Sequence, residues 1–303
     1  MRSLLICVGV VASGVAHASF ELVLALDSSG RVIHRLDGDT NTYLGSFGRT
    51  RLVSPVAMAL HQSSNRVYVH DTSIQSLMAF DYNTGEQVAE IPVATNSFST
   101  MAIMNNGNIL FGDFYSSTIR QYTNTGTLVN TFTAPGGAGG VRAMGQAPDG
   151  NIFAVYNGTN AVTRYTSGGS LVGNVATGVT TISDSRQMVF QGNQVVLSGG
   201  NTGNWVRFNY SAGSWTSATP ISTGQTYAYG AAGGHFSSIY AGGYTASVGY
   251  INAYARTSGA LRSTFTLPGN ATIISLACVV APEPSGLAFI GIATVLLLRR
   301  KSR

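Results

Sequence analysis

The sequence predicts an all-β domain built from many short strands joined by tight turns. Charged residues make up only 10% of the 303 residues, 37 glycines are spread along the chain, and Lys301 is its only lysine. Stable surface helices are usually rich in Ala, Glu and Lys, which this composition does not supply. Short apolar runs separated by Gly, Asn and Ser are instead typical of strands and turns.

Six segments of the chain share one pattern, a strand followed by a tight turn that contains glycine. The turn glycines are Gly38, Gly85, Gly126, Gly169, Gly213 and Gly259. Their spacings of 41 to 47 residues leave room for four short strands in each unit. Since this period is typical of propeller blades, the sequence predicts a six-bladed β-propeller over residues 19–279.

The two ends of this region are incomplete repeats. Residues 20–47 supply three strands with no innermost strand before them, whereas residues 272–279 form a short apolar strand with nothing after it. Pairing the N-terminal strands with this last strand completes the sixth blade and removes the open edges of the ring. We therefore expect the two ends to share one sheet.

Residues 1–18 have the features of an export signal. Arg2 precedes the apolar stretch 4–15, and Ala16 and Ala18 form a small-residue cleavage site. We expect signal peptidase to cleave after Ala18, so that the propeller is exported. Cys278 would then be the single remaining thiol, and we expect it to be buried at the end of a strand.

Residues 280–303 predict a membrane-retained tail. It begins with the motif Pro282, Glu283, Pro284 and Ser285 and ends with the basic cluster Arg299, Arg300, Lys301 and Arg303. The uncharged stretch 285–298 between them would cover about 21 Å as a helix, against a hydrocarbon core of about 30 Å. The predicted transmembrane helix is therefore short. The basic cluster would stay in the cytoplasm and leave the propeller outside.

This order of residues resembles the PEP-CTERM sorting signal of exported bacterial proteins, with Ala281 where the family usually has Val. The resemblance covers about the last 24 residues. It implies cleavage near the Pro-Glu-Pro motif by an exosortase-type membrane peptidase, in a Gram-negative-type envelope that produces exopolysaccharide. The same tail is also labelled an ice-binding protein C-terminal domain, although the sequence has no flat Thr arrays. A plain C-terminal membrane anchor is the alternative.

A second resemblance concerns the repeats themselves. The segment from Asn65 to Thr72, followed by a strand of apolar and aromatic residues, is similar to NHL, YVTN and related six-bladed propeller repeats. This resemblance extends over roughly residues 20–279. It implies a fold and no particular activity.

Three acidic residues, Asp27, Asp71 and Asp113, stand at the same place in three repeats, directly after the second strand. They could form a metal or acid–base site at the mouth of the central channel, together with His70. Alternatively, each caps the backbone amides of its own loop, as Asp does in turns. Repetition from blade to blade favours capping, so we predict no catalytic residue, metal or cofactor.

Arginine and tyrosine also recur. The third-strand arginines are Arg35, Arg120, Arg164 and Arg207, which we expect to be structural and to pair with neighbouring blades. Tyr115, Tyr156 and Tyr244 follow second strands and so share one face of the ring. Exposed rings on that face would suit carbohydrate stacking, although the same residues could pack between blades.

The charge of the chain is concentrated at its ends. Its net charge is +5, but without Arg2, Glu283 and the C-terminal basic cluster 12 arginines face 11 carboxylates. The sequence therefore predicts no nucleic-acid partner.

We expect an exported, monomeric, non-enzymatic binding module, tethered by its tail and then released to the cell surface or matrix. Its partners would be signal peptidase, an exosortase-type peptidase, and exopolysaccharide or other surface proteins. The alternative is a lactonase- or lyase-like propeller enzyme with a metal near the channel.

Overall fold

The computed structural model describes residues 19–93, 98–133, 139–157, 162–175, 185–211, 214–217, 221–234, 238–245 and 248–282. In these ranges no helix is long and apolar enough to cross a membrane. The predicted signal peptide 1–18, the predicted transmembrane helix 285–298, the sorting motif beyond Pro282 and the basic cluster lie outside them.

The strands form six sheets, which we number as blades in chain order. Blade 1 contains β1 (Ser19–Asp27), β2 (Val32–Asp37) and β3 (Thr42–Phe47). Blade 2 contains β4 (Pro55–His61), β5 (Arg66–Asp71), β6 (Ser76–Asp81) and β7 (Gln87–Pro92), with a 3-10 turn at Gln62–Ser64. Blade 3 contains β8 (Phe98–Ile103), β9 (Ile109–Asp113), β10 (Thr118–Tyr122) and β11 (Leu128–Thr133).

The second half of the chain repeats this plan. Blade 4 contains β12 (Val141–Gln146), β13 (Ile152–Tyr156), β14 (Val162–Tyr165) and β15 (Leu171–Val175). Blade 5 contains β16 (Met188–Gln191), β17 (Gln194–Leu197), β18 (Asn204–Ser211), β19 (Ser214–Ser217) and the short β20 (Ile221–Ser222), which pairs with β18. Blade 6 contains β21 (Tyr227–Gly233), β22 (Ser238–Thr245), β23 (Val248–Ala255) and β24 (Leu261–Thr266).

The last described strand, β25 (Ile273–Pro282), closes the ring. It lies beside β1, so that blade 1 has the order β25-β1-β2-β3. This confirms the predicted pairing of the two ends. β25 continues to Pro282, past the predicted end of the strand at Val279. The backbone of Ser28 also donates to the carbonyl oxygen of Thr272 at 3.0 Å. The chain is a six-bladed β-propeller.

The turn glycines of the described repeats contact the preceding blade. Gly85 and Gly169 both have φ of +82°, a left-handed conformation that favours glycine. A Cβ atom on Gly85 would lie 2.8 Å from Cβ of Phe47 in blade 1, and one on Gly169 would lie 2.6 Å from Phe132 in blade 3. The spacing of these glycines thus records the contact between successive blades.

Most of the core lies between adjacent blades. Phe153 of blade 4, for example, is fully buried and packs against Trp215 of blade 5, with ring centres 5.3 Å apart. The outermost strands are instead largely exposed. Because the apolar surface of one blade is covered by the next, the ring as a whole provides the hydrophobic core.

The innermost strands surround a central cavity of about 630 Å³, to which β4, β8, β12, β16, β21 and β25 all contribute. Cys278 lines this cavity and is half-buried rather than buried as predicted. Gln187 links three blades here. Its Oε1 accepts from the amides of Ala231 at 2.9 Å and Leu276 at 3.0 Å, and its Nε2 donates to the carbonyl oxygen of Leu276 at 2.6 Å.

Candidate functional site

The ring has two faces, which we name by the direction of the innermost strands. These strands begin at the upper face and end at the lower face. The loops after the second strands therefore also lie at the upper face, since neighbouring strands of a blade are antiparallel. The predicted acidic and aromatic candidates all belong to this face.

Asp71 ends β5 and is completely buried. Its Oδ2 accepts hydrogen bonds from the backbone amides of Val53 at 2.6 Å and Ser54 at 2.9 Å, directly before β4. Its Oδ1 accepts from the amides of Ser73 at 3.1 Å and Ile74 at 3.4 Å in its own loop. The carboxylate thus joins the loop after the second strand to the start of the innermost strand.

Asp27 makes the same connection in blade 1. Its Oδ1 accepts from the amide of Thr272, directly before β25, at 2.8 Å and from the amide of Ser29 at 3.0 Å. Its Oδ2 lies 3.4 Å from Nε2 of His34. Burial by itself would raise the pKa of Asp27, but the hydrogen bonds, with that of His34 the strongest contributor, lower it to about 2.

Asp113 and His70 complete the set of predicted candidates. Oδ1 of Asp113 accepts from the amides of Tyr115 at 2.9 Å and Ser116 at 3.0 Å, and its Oδ2 lies 3.7 Å from Nη1 of Arg120. His70 is completely buried, and its ring meets Phe111 of blade 3 edge to face. In the part of the chain that the structure describes, no group of three or more His, Cys, Asp or Glu side chains could hold a metal ion.

Two neutral residues take the place of the acid in blades 5 and 6, and sequence reasoning missed them. Oγ of Ser198, directly after β17, accepts from the amides of Arg186 and Gln187 at 2.9 Å each, just before β16. Oγ1 of Thr245 accepts from the amide of Thr226 at 3.0 Å, just before β21. The shared requirement at this position is an acceptor oxygen, with or without charge.

The recurring arginines have mixed roles. Arg35 donates to the carbonyl oxygen of Asn83 in blade 2 at 2.6 Å, and Arg207 donates to that of Arg256 in blade 6. These two contacts confirm the expected pairing with neighbouring blades. Arg120 instead pairs with Asp113 of its own blade.

The predicted tyrosines differ widely in exposure. Tyr115 is 81% exposed, and Tyr244 is half-buried. Tyr156, by contrast, is buried, and its hydroxyl lies 2.6 Å from the hydroxyl of Tyr165 within blade 4. Burial and this hydrogen bond raise the pKa of Tyr156. Of the two alternatives for Tyr156, the structure supports packing inside the domain and not an exposed stacking surface.

The structure brings together a group of aromatic and arginine side chains at the upper face. We call it the upper-face cluster, and it consists of Phe114, Arg142, Arg186, Tyr227, Tyr229 and Tyr244. Phe114 comes from the loop after β9, and the others come from the ends of strands or the segments directly before them in blades 4, 5 and 6. The cluster therefore lies where several innermost strands begin.

Three tyrosines form its aromatic part. The rings of Tyr227 and Tyr229 are stacked with centres 5.7 Å apart, and Tyr227 lies 4.8 Å from Tyr244. All three are half-buried. The hydroxyl of Tyr229 donates to Oδ1 of Asn201 at 2.6 Å. Burial raises the pKa of Tyr244, and the neighbouring Tyr227 adds to this rise.

The two arginines of the cluster lie against its rings. The guanidinium carbon of Arg142 is 3.8 Å from the ring centre of Phe114. That of Arg186 is 5.0 Å from Phe114 and 5.4 Å from Tyr229. Such cation–π contacts are worth about 0.5–2 kcal/mol each. They hold the Arg186 side chain in place between two blades.

Arg186 differs from Arg35, Arg120 and Arg207 in having no partner for its guanidinium among the described residues. Across the described ranges, its guanidinium pairs with no carboxylate and donates no hydrogen bond. Arg186 is half-buried. A positioned guanidinium with its N–H groups available can bind an acceptor such as a carboxylate with two parallel hydrogen bonds.

Known structures share this fold. A protein of unknown function from Bacteroides caccae is similar with a TM-score of 0.64 and 12% identity, over 86% of this chain and 99% of that chain. A chain of the nidogen/laminin complex is similar with a TM-score of 0.68 and 15% identity, over 85% and 98%. A streptogramin B lyase is similar with a TM-score of 0.54 and 13% identity, over 71% and 69%.

These likenesses show the fold alone, because at such identities one fold serves many functions. No protein-family model matches the chain, and no curated protein sequence matches it.

Proposed function

We propose that this chain is an exported, non-enzymatic binding propeller that holds its ligand at the upper-face cluster. The observation that carries the proposal is the contrast between Arg186 and the recurring acids. The carboxylates of Asp27 and Asp71 are occupied by backbone amides. The Arg186 guanidinium is held by two rings and, among the residues that the structure describes, donates no hydrogen bond. Groups of the first kind stabilise loops, whereas a group of the second kind suits recognition.

The aromatic rings support a binding role as well. Tyrosine offers a large, rigid surface with a polar end, which suits both sugars and protein side chains. Three half-buried tyrosines beside Arg186 provide such a surface at the start of the innermost strands. The proposed ligands are therefore exopolysaccharide or other surface proteins, bound by a monomer.

Delivery to the envelope is the second part of the proposal. It is supported by the signal-like segment 1–18 and by the tail with Pro282, Glu283, Pro284 and Ser285. Signal peptidase would remove the first, and an exosortase-type peptidase would cleave the second after transient retention in the membrane. Mass spectrometry of the mature protein tests this. Finding Arg303 intact in cells that carry the peptidase would contradict it.

Binding is tested with the full chain, purified in detergent, against matrix extracted from the producing cells. We expect retention of the wild type and loss of retention in a variant with Arg186→Gln and Tyr229→Ala. The matched control is Arg66→Gln, which removes an arginine at the start of β5, on the lower face. Equal retention of all three proteins would contradict a ligand site at the cluster.

A propeller enzyme is the alternative, and the similarity of fold to a streptogramin B lyase is the observation that keeps it open. It would use Asp27, Asp71, Asp113 and His70 near a metal. Metal analysis of the full chain after dialysis against divalent cations tests it. Tight, stoichiometric metal that is lost on Asp71→Asn would favour the enzyme over the binding module.

A further inference from the structure

We infer that the upper-face cluster binds a uronic-acid residue of an acidic polysaccharide, with the sugar carboxylate on Arg186 and the sugar ring on the tyrosines. This inference rests on the proposed binding function and assigns its ligand class. It follows from three features of the cluster: the available guanidinium, the aromatic surface beside it, and the neutral caps around it.

The first feature is the position of Arg186. Its side chain lies against Phe114 at 5.0 Å and Tyr229 at 5.4 Å, both measured to the ring centres. Ring faces attract the cation but do not use its N–H donors, which point outward in the guanidinium plane. A carboxylate matches this fork with two parallel hydrogen bonds, whereas a neutral hydroxyl makes one weaker bond.

The second feature is the aromatic surface. Tyr227, Tyr229 and Tyr244 have ring centres 4.8 to 6.1 Å apart and belong to two neighbouring strands of blade 6. Together they form one group of packed rings, each of them half-buried, so that part of this aromatic surface faces solvent. Pyranose rings present C–H groups on one face and hydroxyl groups around the rim, so they fit a surface of this kind.

The third feature is the neutral character of the nearest loop caps. Ser198 and Thr245 stand where blades 1 to 3 carry Asp. An acid at Ser198 would place a carboxylate beside the Arg186 backbone and compete with any anionic ligand. The carboxylate of Asp113 is engaged with two amides and Arg120. With the groups that the structure describes, the cluster thus favours an anion over a cation or a neutral group.

The test is calorimetric titration of the full chain in detergent with tetramers of galacturonate, mannuronate and glucuronate. Each acid is compared with its methyl ester, which keeps the sugar ring and removes the charge, and poly-glutamate serves as an anionic peptide. Arg186→Gln and Arg186→Lys are compared with the wild type, and Arg66→Gln is the control. Thermal unfolding of each variant checks that it is folded.

We expect at least one uronate to bind about tenfold or more tightly than its methyl ester, as the loss of a charge-assisted pair would give. Arg186→Gln should remove this preference without weakening the ester, and Arg186→Lys should restore it in part. Higher salt should weaken the acid and not the ester.

Three results would overturn the inference, each with a different meaning for the proposed function. Equal binding of acid and ester would leave a binding module for neutral sugars. Binding of poly-glutamate but of no uronate, with loss on Arg186→Gln, would make the partner an acidic protein surface. No binding of any probe, with no retention on extracted matrix, would remove the proposed function together with the inference.

Discussion

Blades 1 and 2 differ from blades 5 and 6 in the side chain that binds the backbone amides before the innermost strand. In blades 1 and 2 a carboxylate, Asp27 or Asp71, accepts hydrogens from the amides that precede the innermost strand. In blades 5 and 6 a hydroxyl, Ser198 or Thr245, accepts from the corresponding amides. This position therefore requires an acceptor oxygen but not a charge.

The difference has a consequence for recognition. Where the cap is charged, its carboxylate binds the donors around it. Asp27, for example, contacts both a backbone amide and the side chain of His34. Where the cap is neutral, the nearby guanidinium of Arg186 donates no hydrogen bond to any residue in the described ranges. In the blades that keep Asp, the recurring residue therefore stabilises the loops. The blades that depart from this pattern carry most of the candidate site.

Removing a charged cap should reduce the free energy of unfolding more than removing a neutral one. Asp71→Ala removes four hydrogen bonds from a completely buried carboxylate and leaves the amides of Val53 and Ser54 without this acceptor. We expect the free energy of unfolding to fall by about 3 kcal/mol. Ser198→Ala, the matched neutral position, should cost about 1 kcal/mol. Denaturant unfolding measures both, and equal losses would contradict the comparison.

The second prediction uses pH. The pKa of Asp27 is about 2 in the folded chain, below the unfolded value of about 3.9. Its ionised form therefore stabilises the fold above about pH 4, and this contribution is lost as the pH falls towards 2. Asp27→Asn should lower the thermal midpoint at pH 7 by about 5 °C and flatten its decline between pH 4 and 2. Retention of the full wild-type decline by Asp27→Asn would show that other groups cause it.

The repeat and the closure of the ring could be predicted because they leave local marks in the sequence. Gly85 and Gly169 need a left-handed backbone and a close contact with the preceding blade, so glycine recurs at one period. The incomplete repeats at the two ends predict the pairing of β25 with β1, since a ring must close.

The candidate site could not be predicted in the same way. Phe114 and Tyr244 are far apart in the sequence, and they reach the other members of the cluster because the six blades are arranged in a closed ring. Tyr156 shows the limit of the repeat pattern, because it ends β13 with its side chain turned inward to Tyr165. One signal was present in the sequence. Blades 5 and 6 lack the Asp after the second strand, and Arg186 and most of the cluster belong to these blades.

The third prediction gives blade 5 the charged cap that blades 1 to 3 carry. Ser198→Asp would place a carboxylate at the cap whose hydroxyl accepts from the amides of Arg186 and Gln187. We expect the affinity for the preferred uronate to fall about tenfold, because the new charge competes for Arg186, while stability is kept. Ser198→Asn is the control, since it has the same size and keeps an acceptor without charge. An equal loss for both variants would indicate a steric effect instead.

The smallest expected effect locates the centre of the site. Tyr115 is 81% exposed, and its ring lies beside Phe114 at the margin of the cluster, with ring centres 5.0 Å apart. Tyr115→Ala should therefore leave the free energy of unfolding within about 0.5 kcal/mol and lower uronate affinity about twofold. Leu128→Ala, at an exposed apolar residue on β11, the outermost strand of the same blade, should change neither quantity. If Tyr115→Ala instead matched the loss caused by Arg186→Gln, the ligand would be centred on the loop of blade 3, and neutral caps in blades 5 and 6 would no longer explain the site.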